Sequence, residues 1–121
     1  MKRTLVICDD DPMARKVIEM LAVQAGYEVV AEVDLAVRAV EMAAYHQPGV
    51  LVMDVSMPGM RGTEAVALAR EASEDTRIIL VSAFDLIPRG AVPGGAYDVV
   101  DKTDFGYLAS VLASIPTIAA A

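Results

Sequence analysis

Three short apolar runs restrict this chain to few folds. "TLVIC" (4–8), "VLVMD" (50–54) and "RIILVS" (77–82) are almost unbroken inside. A strand with one wet face alternates apolar and polar residues, whereas a short unbroken run belongs to a strand covered on both faces. The stretches between them carry a helical period. Ala14, Val17, Ile18, Leu21 and Ala25 recur at that spacing, with Arg15, Lys16 and Glu19 between them and Gly26 as a stop. Asp34 reads as the cap of a helix that turns Ala36, Ala39, Val40 and Ala43 inward and ends at Pro48. "YEVVAEV" (27–33) and "YDVV" (97–100) read as strands, "TEAVALAREAS" (63–73) and "TDFGYLASVLASI" (103–115) as helices. Five strands alternating with helices imply βαβ units, right-handed crossovers and a parallel sheet with helices on both faces.

At 121 residues this is one domain, with a core over about 3–115 and a tail or linker stub at 116–121. An apolar content of 55% builds a core without staples, and the single cysteine, Cys8, excludes an internal disulfide. Cys8 lies within an apolar run and reads as a small buried hydrophobe, which fits a reducing, cytoplasmic setting. No apolar run approaches the ~20 residues of a membrane span, and the start "MKRTLVICDD" lacks a secretory apolar stretch. A net charge of −7 with no basic stripe argues against direct binding of nucleic acid.

In open parallel sheets, ligands sit beyond the carboxyl ends of the strands, where the strand order reverses. The polar residues at those ends are Asp9 and Asp10, Asp54, Ser82 and Lys102. Together they make an acidic pocket with one hydroxyl and one cation. Like carboxylates repel, so their proton affinity rises until a lysine and a divalent cation compensate. Asp11 has a different reading. It precedes Pro12, a favoured first helical residue, and so is a natural N-cap. His46 reads as a helix-end cation, and Met53, Met57 and Met60 as packing residues.

"DDDP" (9–12), "LVMDVSMPGMRG" (51–62), "LVSA" (80–83) and "DK" (101–102) resemble the receiver domain of bacterial two-component response regulators, the CheY-like family. The resemblance covers residues 3 to about 115. It implies a flavodoxin-like, doubly wound five-stranded parallel sheet in order 2-1-3-4-5. (The strand-end rule was itself drawn partly from sheets of this kind, so the placement is not independent support.) It implies Asp54 as phosphoacceptor, with a phosphohistidine of a sensor histidine kinase or phosphotransfer protein as donor. Asp9, Asp10, Asp54 and the backbone carbonyl of Ser56 would hold Mg²⁺, Asp10 directly and Asp9 directly or through water. Ser82 would bond the phosphoryl group, and Lys102 would pair with Asp54 and then with the phosphate. Such a domain is not an enzyme beyond its own phosphorylation and dephosphorylation. It signals to a downstream protein or to an output domain missing from this chain.

The sequence also departs from the family pattern. Val99 stands three residues before Lys102, where an aromatic is usual, and Tyr97 is the ring nearby that could replace it. Thr103 replaces the usual proline after the lysine, which predicts a trans peptide. "FDLIPRGAVPGGA" (84–96) crowds prolines and glycines where a fourth helix belongs, so an irregular or shortened helix is expected there. That puts the usual dimer in doubt and is compatible with a weak homodimer. Phe84 is placed to shield a phosphoryl group on Asp54 from water. The competing classes fit less well. A haloacid-dehalogenase-type phosphatase wants a second aspartate two residues after its nucleophile, and Ser56 stands there. A flavodoxin-like flavin binder wants a phosphate loop where "DDDP" would repel one. The remaining alternative is a degenerate receiver acting as a phosphorylation-independent scaffold.

Overall fold

The computed structural model describes residues 3–57, 59–83 and 95–116. The expected segment 84–96, apart from its last two residues, Phe84 as a shield, and the tail beyond 116 lie outside the described residues. Five strands, β1 (Thr4–Cys8), β2 (Glu28–Val33), β3 (Val50–Asp54), β4 (Arg77–Ser82) and β5 (Asp98–Asp101), form one parallel sheet in the order β2-β1-β3-β4-β5. Four helices are described: α1 (Pro12–Gln24), α2 (Ala36–His46), α3 (Gly62–Ala72) and α4 (Phe105–Ser114). This is the parallel sheet that the alternating segments imply, in the flavodoxin-like strand order that the resemblance implies.

Alternate strand residues feed two separate cores. Leu5, Ile7, Val50, Val52, Ile79 and Val81 point to the side of α1 and α4, where Ile18, Leu108 and Leu112 meet them. Val6, Cys8, Leu51, Met53, Ile78 and Leu80 point to the other side and pack against Ala39 and Ala43 of α2 and Val66 and Ala69 of α3. Because both faces are covered, β3 is buried along its whole length, and the apolar run that precedes Asp54 is the sequence that this position requires.

Element ends show what stops each helix. Asp11 caps α1 by accepting from the Met13 amide at 3.0 Å, with Pro12 at the first helical position, as expected. Gly26, at φ +90°, takes the left-handed turn after α1, and Tyr27 N–H returns to the Ala22 carbonyl at 2.9 Å. The expected cap Asp34 is one residue out. Leu35 is the N-cap of α2, extended at φ −131° and ψ 139°, and no side chain caps that end. Gln47 closes α2 at φ 47°, and its side-chain amide donates to the carbonyls of Ala44 and Ala72. At the far end of the chain, Arg3 donates to the carbonyls of Leu112 and Ile115 and to the Tyr27 hydroxyl, tying the end of α4 to the base of β1. Among the described residues there is no cis peptide, so the peptide before Thr103 is trans as predicted. Among them, too, no helix is long and apolar enough to cross a membrane.

Candidate phosphoacceptor and cation site

The sheet register brings the strand-end residues together. Cys8 pairs with Met53, Asp54 with Val81, and Ser82 with Asp101. Asp9, one residue past β1, therefore stands level with Asp54, and Lys102 follows β5 beside Ser82. Backbone bonds carry the ladder one step further: Asp9 N–H donates to Val33, Val55 N–H to Val81 and Lys102 N–H to Ser82. The central strand β3 puts Asp54 in the middle of the row.

Asp9 is fully buried and Asp54 is 2% exposed, while Asp10 is exposed. One carboxylate oxygen of each of the three lies within 4.8 Å of the others. Among the described residues each oxygen of Asp54 has a single donor, Oδ1 the Ser56 amide at 2.9 Å and Oδ2 the Lys102 ammonium at 2.9 Å. Lys102 also reaches Asp9, which the sequence reasoning did not foresee. Its Nζ donates to Oδ1 at 3.3 Å and lies 3.0 Å from Oδ2. The approach to Oδ2 is an ion contact without hydrogen-bond geometry, so that buried oxygen accepts no hydrogen bond. Ser82 Oγ, also buried, makes no hydrogen bond among the described residues.

Electrostatics follow from this packing. Burial raises the proton affinity of Asp9; the Asp11 amide and Lys102 oppose that, and the nearby Asp54 charge adds to it, leaving a net rise. Burial by itself would lower the Lys102 pKa, but hydrogen bonds to Asp54 and Asp9 outweigh it and raise the value. Cys8, just behind Asp9, is pushed up to about 12 by burial and by the charges of Asp9 and Asp54. Its thiol donates to the Leu35 carbonyl at 3.4 Å. An all-oxygen donor set, with a buried carboxylate oxygen that is in ion contact with Lys102 but accepts no hydrogen bond among the described residues, suits a hard divalent cation.

Every expected site residue is at this one edge of the sheet. Asp9, Asp10, Asp54 and Lys102 converge, with Ser82 beside them and Ser56 reaching in by its amide. Tyr97 does not join them. Its N–H bonds the Ile78 carbonyl at 2.7 Å, and its ring faces the Arg77 guanidinium 5.6 Å away, at the opposite end of β4 from Ser82. Val99 packs partly buried against the α2–α3 core. His46 makes an edge contact with Tyr45 at the end of α2 and has no place in the site. The residue that sequence reasoning missed is Arg15, whose Nη1 donates to the Asp9 carbonyl at 2.7 Å. Its only sequence signal was a position on the polar side of α1, four residues after the cap.

Residues 5–111 match the family model described as the response regulator receiver domain. The chain is 34% identical to the chemotaxis protein CheY of Bacillus subtilis, over 84% of this chain and 87% of that protein. It is 36% identical to the probable transcriptional regulatory protein NarL of Mycobacterium tuberculosis over 88% of this chain, an alignment spanning 47% of NarL. Among solved structures, the receiver domain of AraT, a response regulator from Geobacillus stearothermophilus, superposes with a TM-score of 0.78 at 26% identity, covering 93% of this chain and 94% of that one. Sheet order, strand-end acids and sequence agree: the chain belongs to the response regulator receiver domain family of two-component systems.

Proposed function

We propose that this receiver domain takes a phosphoryl group from a phosphohistidine of a sensor histidine kinase or phosphotransfer protein onto Asp54, in a Mg²⁺-dependent step. The observation that carries this reading is a nearly buried Asp54 whose two oxygens are fixed by the Ser56 amide and by Lys102, 4.8 Å or less from two further carboxylates. Phosphoryl transfer asks a protein mainly for positioning and charge neutralisation. An Asp54 oxygen forms the new bond to phosphorus as the phosphorus–nitrogen bond breaks, and the imidazole nitrogen keeps that electron pair. Lys102 pairs with Asp54 at 2.9 Å and aims it, then follows the negative charge onto the arriving oxygens. Ser82 supplies to one of those oxygens the hydrogen bond that its hydroxyl now lacks. Asp9, Asp10, Asp54 and the Ser56 carbonyl would hold Mg²⁺, which when bound would neutralise charge on the transferred group. Conversion of Asp54 then shifts the domain toward a form read by a partner or output domain. Val99 and the remote Tyr97 leave that shift without an aromatic swing at β5.

The test is direct. Incubation with Mg²⁺ and acetyl phosphate, followed by intact-mass measurement, is expected to add one phosphoryl group. The gain should vanish in Asp54→Asn and in excess chelator. No gain with acetyl phosphate or with a phosphorylated histidine phosphotransfer protein would favour the phosphorylation-independent scaffold instead.

A further inference from the structure

Asp10 is exposed, and its carboxylate makes no hydrogen bond among the described residues, so the backbone sets where its Cα–Cβ bond starts and which way it points, and rotamers alone set the rest. That backbone begins at the Asp9–Asp10 peptide, which is planar, so fixing its carbonyl fixes the direction in which Asp10 leaves. The Asp9 carbonyl is held by Arg15. From α1, the Arg15 guanidinium reaches back and Nη1 donates to it at 2.7 Å. The Arg15 amide makes the first helical bond of α1, to the Asp11 carbonyl at 3.0 Å, so the guanidinium reaches back from a backbone that is itself fixed. Glu32 Oε1 lies 3.9 Å from Nε, beyond hydrogen-bond distance, which leaves the Asp9 carbonyl as the anchoring contact. Asp9 is held just as firmly, with Oδ1 accepting from the Asp11 amide at 2.9 Å and from Lys102. Only Oδ2 of Asp9 is left without a hydrogen bond, buried beside Asp54.

We propose that Arg15 is a positioning residue of the cation site: its guanidinium locks the Asp9–Asp10 peptide so that Asp9 Oδ2 and the Asp10 carboxylate converge with Asp54. This rests on the cation-dependent reading above. A different role for Arg15 predicts the opposite sign. Were it present only as a nearby positive charge, its removal would relieve repulsion and tighten cation binding.

Mg²⁺ binding to the full chain, measured by calorimetry, separates the two. Arg15→Met should weaken Mg²⁺ binding about 10-fold or more, the usual effect of losing a group that orients metal ligands. Arg15→Lys keeps the charge and one donor and should recover part of the loss. A second readout needs no cation. In the Mg²⁺-free protein, the Asp11 amide should exchange with solvent faster in Arg15→Met than in the wild type, while Leu108 in α4 is unchanged. Mg²⁺ binding in Arg15→Met equal to or tighter than the wild type overturns the role of Arg15, as does unchanged exchange at Asp11. A wild type that takes up no Mg²⁺ overturns the cation-dependent reading instead, and the exchange measurement still decides whether Arg15 orders the loop.

Discussion

Lys102→Met removes a cation that holds two buried carboxylates together, and its cost can be worked from the geometry. Asp9 and Asp54 have oxygens no more than 4.8 Å apart, so two full charges repel by about 3.5 kcal/mol or more at an effective dielectric of ~20. The variant escapes part of this by binding a proton. Protonating a carboxylate of ordinary pKa near 4 costs about 4 kcal/mol at pH 7 and about 1.4 kcal/mol at pH 5. In the wild type the Lys102 ammonium, 3.0 Å from Asp9 and 2.9 Å from Asp54, offsets that repulsion; without it the smaller of the two routes sets the penalty, about 3–4 kcal/mol at pH 7 and about 1.5 kcal/mol at pH 5. The sign agrees with linkage. Asp9 already has its folded-state pKa raised, so the native state binds that proton more tightly than the unfolded chain. Stability from it is complete below the unfolded value and is lost as pH rises through the folded one. Losing Lys102 raises that folded value further and widens the window. Urea unfolding of both proteins from pH 5 to 8 measures the difference, and Mg²⁺ should narrow it at pH 7. A variant as stable as wild type at pH 7, or a penalty that grows toward pH 5, would refute the electrostatic account.

Other residues offer simpler checks. Asp11→Ala should destabilise by about 1 kcal/mol through loss of the α1 cap, measured by thermal unfolding, while acetyl phosphate still modifies Asp54. Arg3→Met strips hydrogen bonds from two carbonyls at the end of α4 and a stacked guanidinium from Tyr27, and should cost about 2–3 kcal/mol in a urea titration.

The two-sided sheet was legible because the unbroken runs admit few other placements, and the strand-end rule then collected the site residues without any contact being known. What sequence could not supply was reach. Tyr97 has the right parity to share a face with Val99, but parity does not fix height along the strand. Opposite Ile78, it stands four residues, roughly 13 Å, below the level of Ser82. Asp34 is a good capping residue, but the helix starts where the chain leaves the extended region. That residue is Leu35, whose carbonyl takes the first helical bonds from Arg38 and Ala39. Lys102 bridging Asp9 as well as Asp54, and Arg15 on the Asp9 carbonyl, depend on side-chain length and rotamer, which no spacing rule encodes.

The charge count at the sheet edge points the same way as the donor chemistry. Asp9, Asp10 and Asp54 against Lys102 leave two negative charges uncompensated when all four are ionised. A second lysine would cancel one of them but would also fill the space beside Asp54. A divalent cation cancels both and presents open coordination positions. Ser82 fits this division. A buried hydroxyl without a partner is disfavoured by about 1–3 kcal/mol, which a fold tolerates where the partner arrives later. Under the proposed chemistry that partner is an oxygen of the phosphoryl group, and a neutral donor meets it without altering the charge balance of the resting site. Under that same proposal, Asp9 Oδ2, in ion contact with Lys102 at 3.0 Å but accepting no hydrogen bond among the described residues, would serve the cation, and Ser82 Oγ the phosphoryl oxygen.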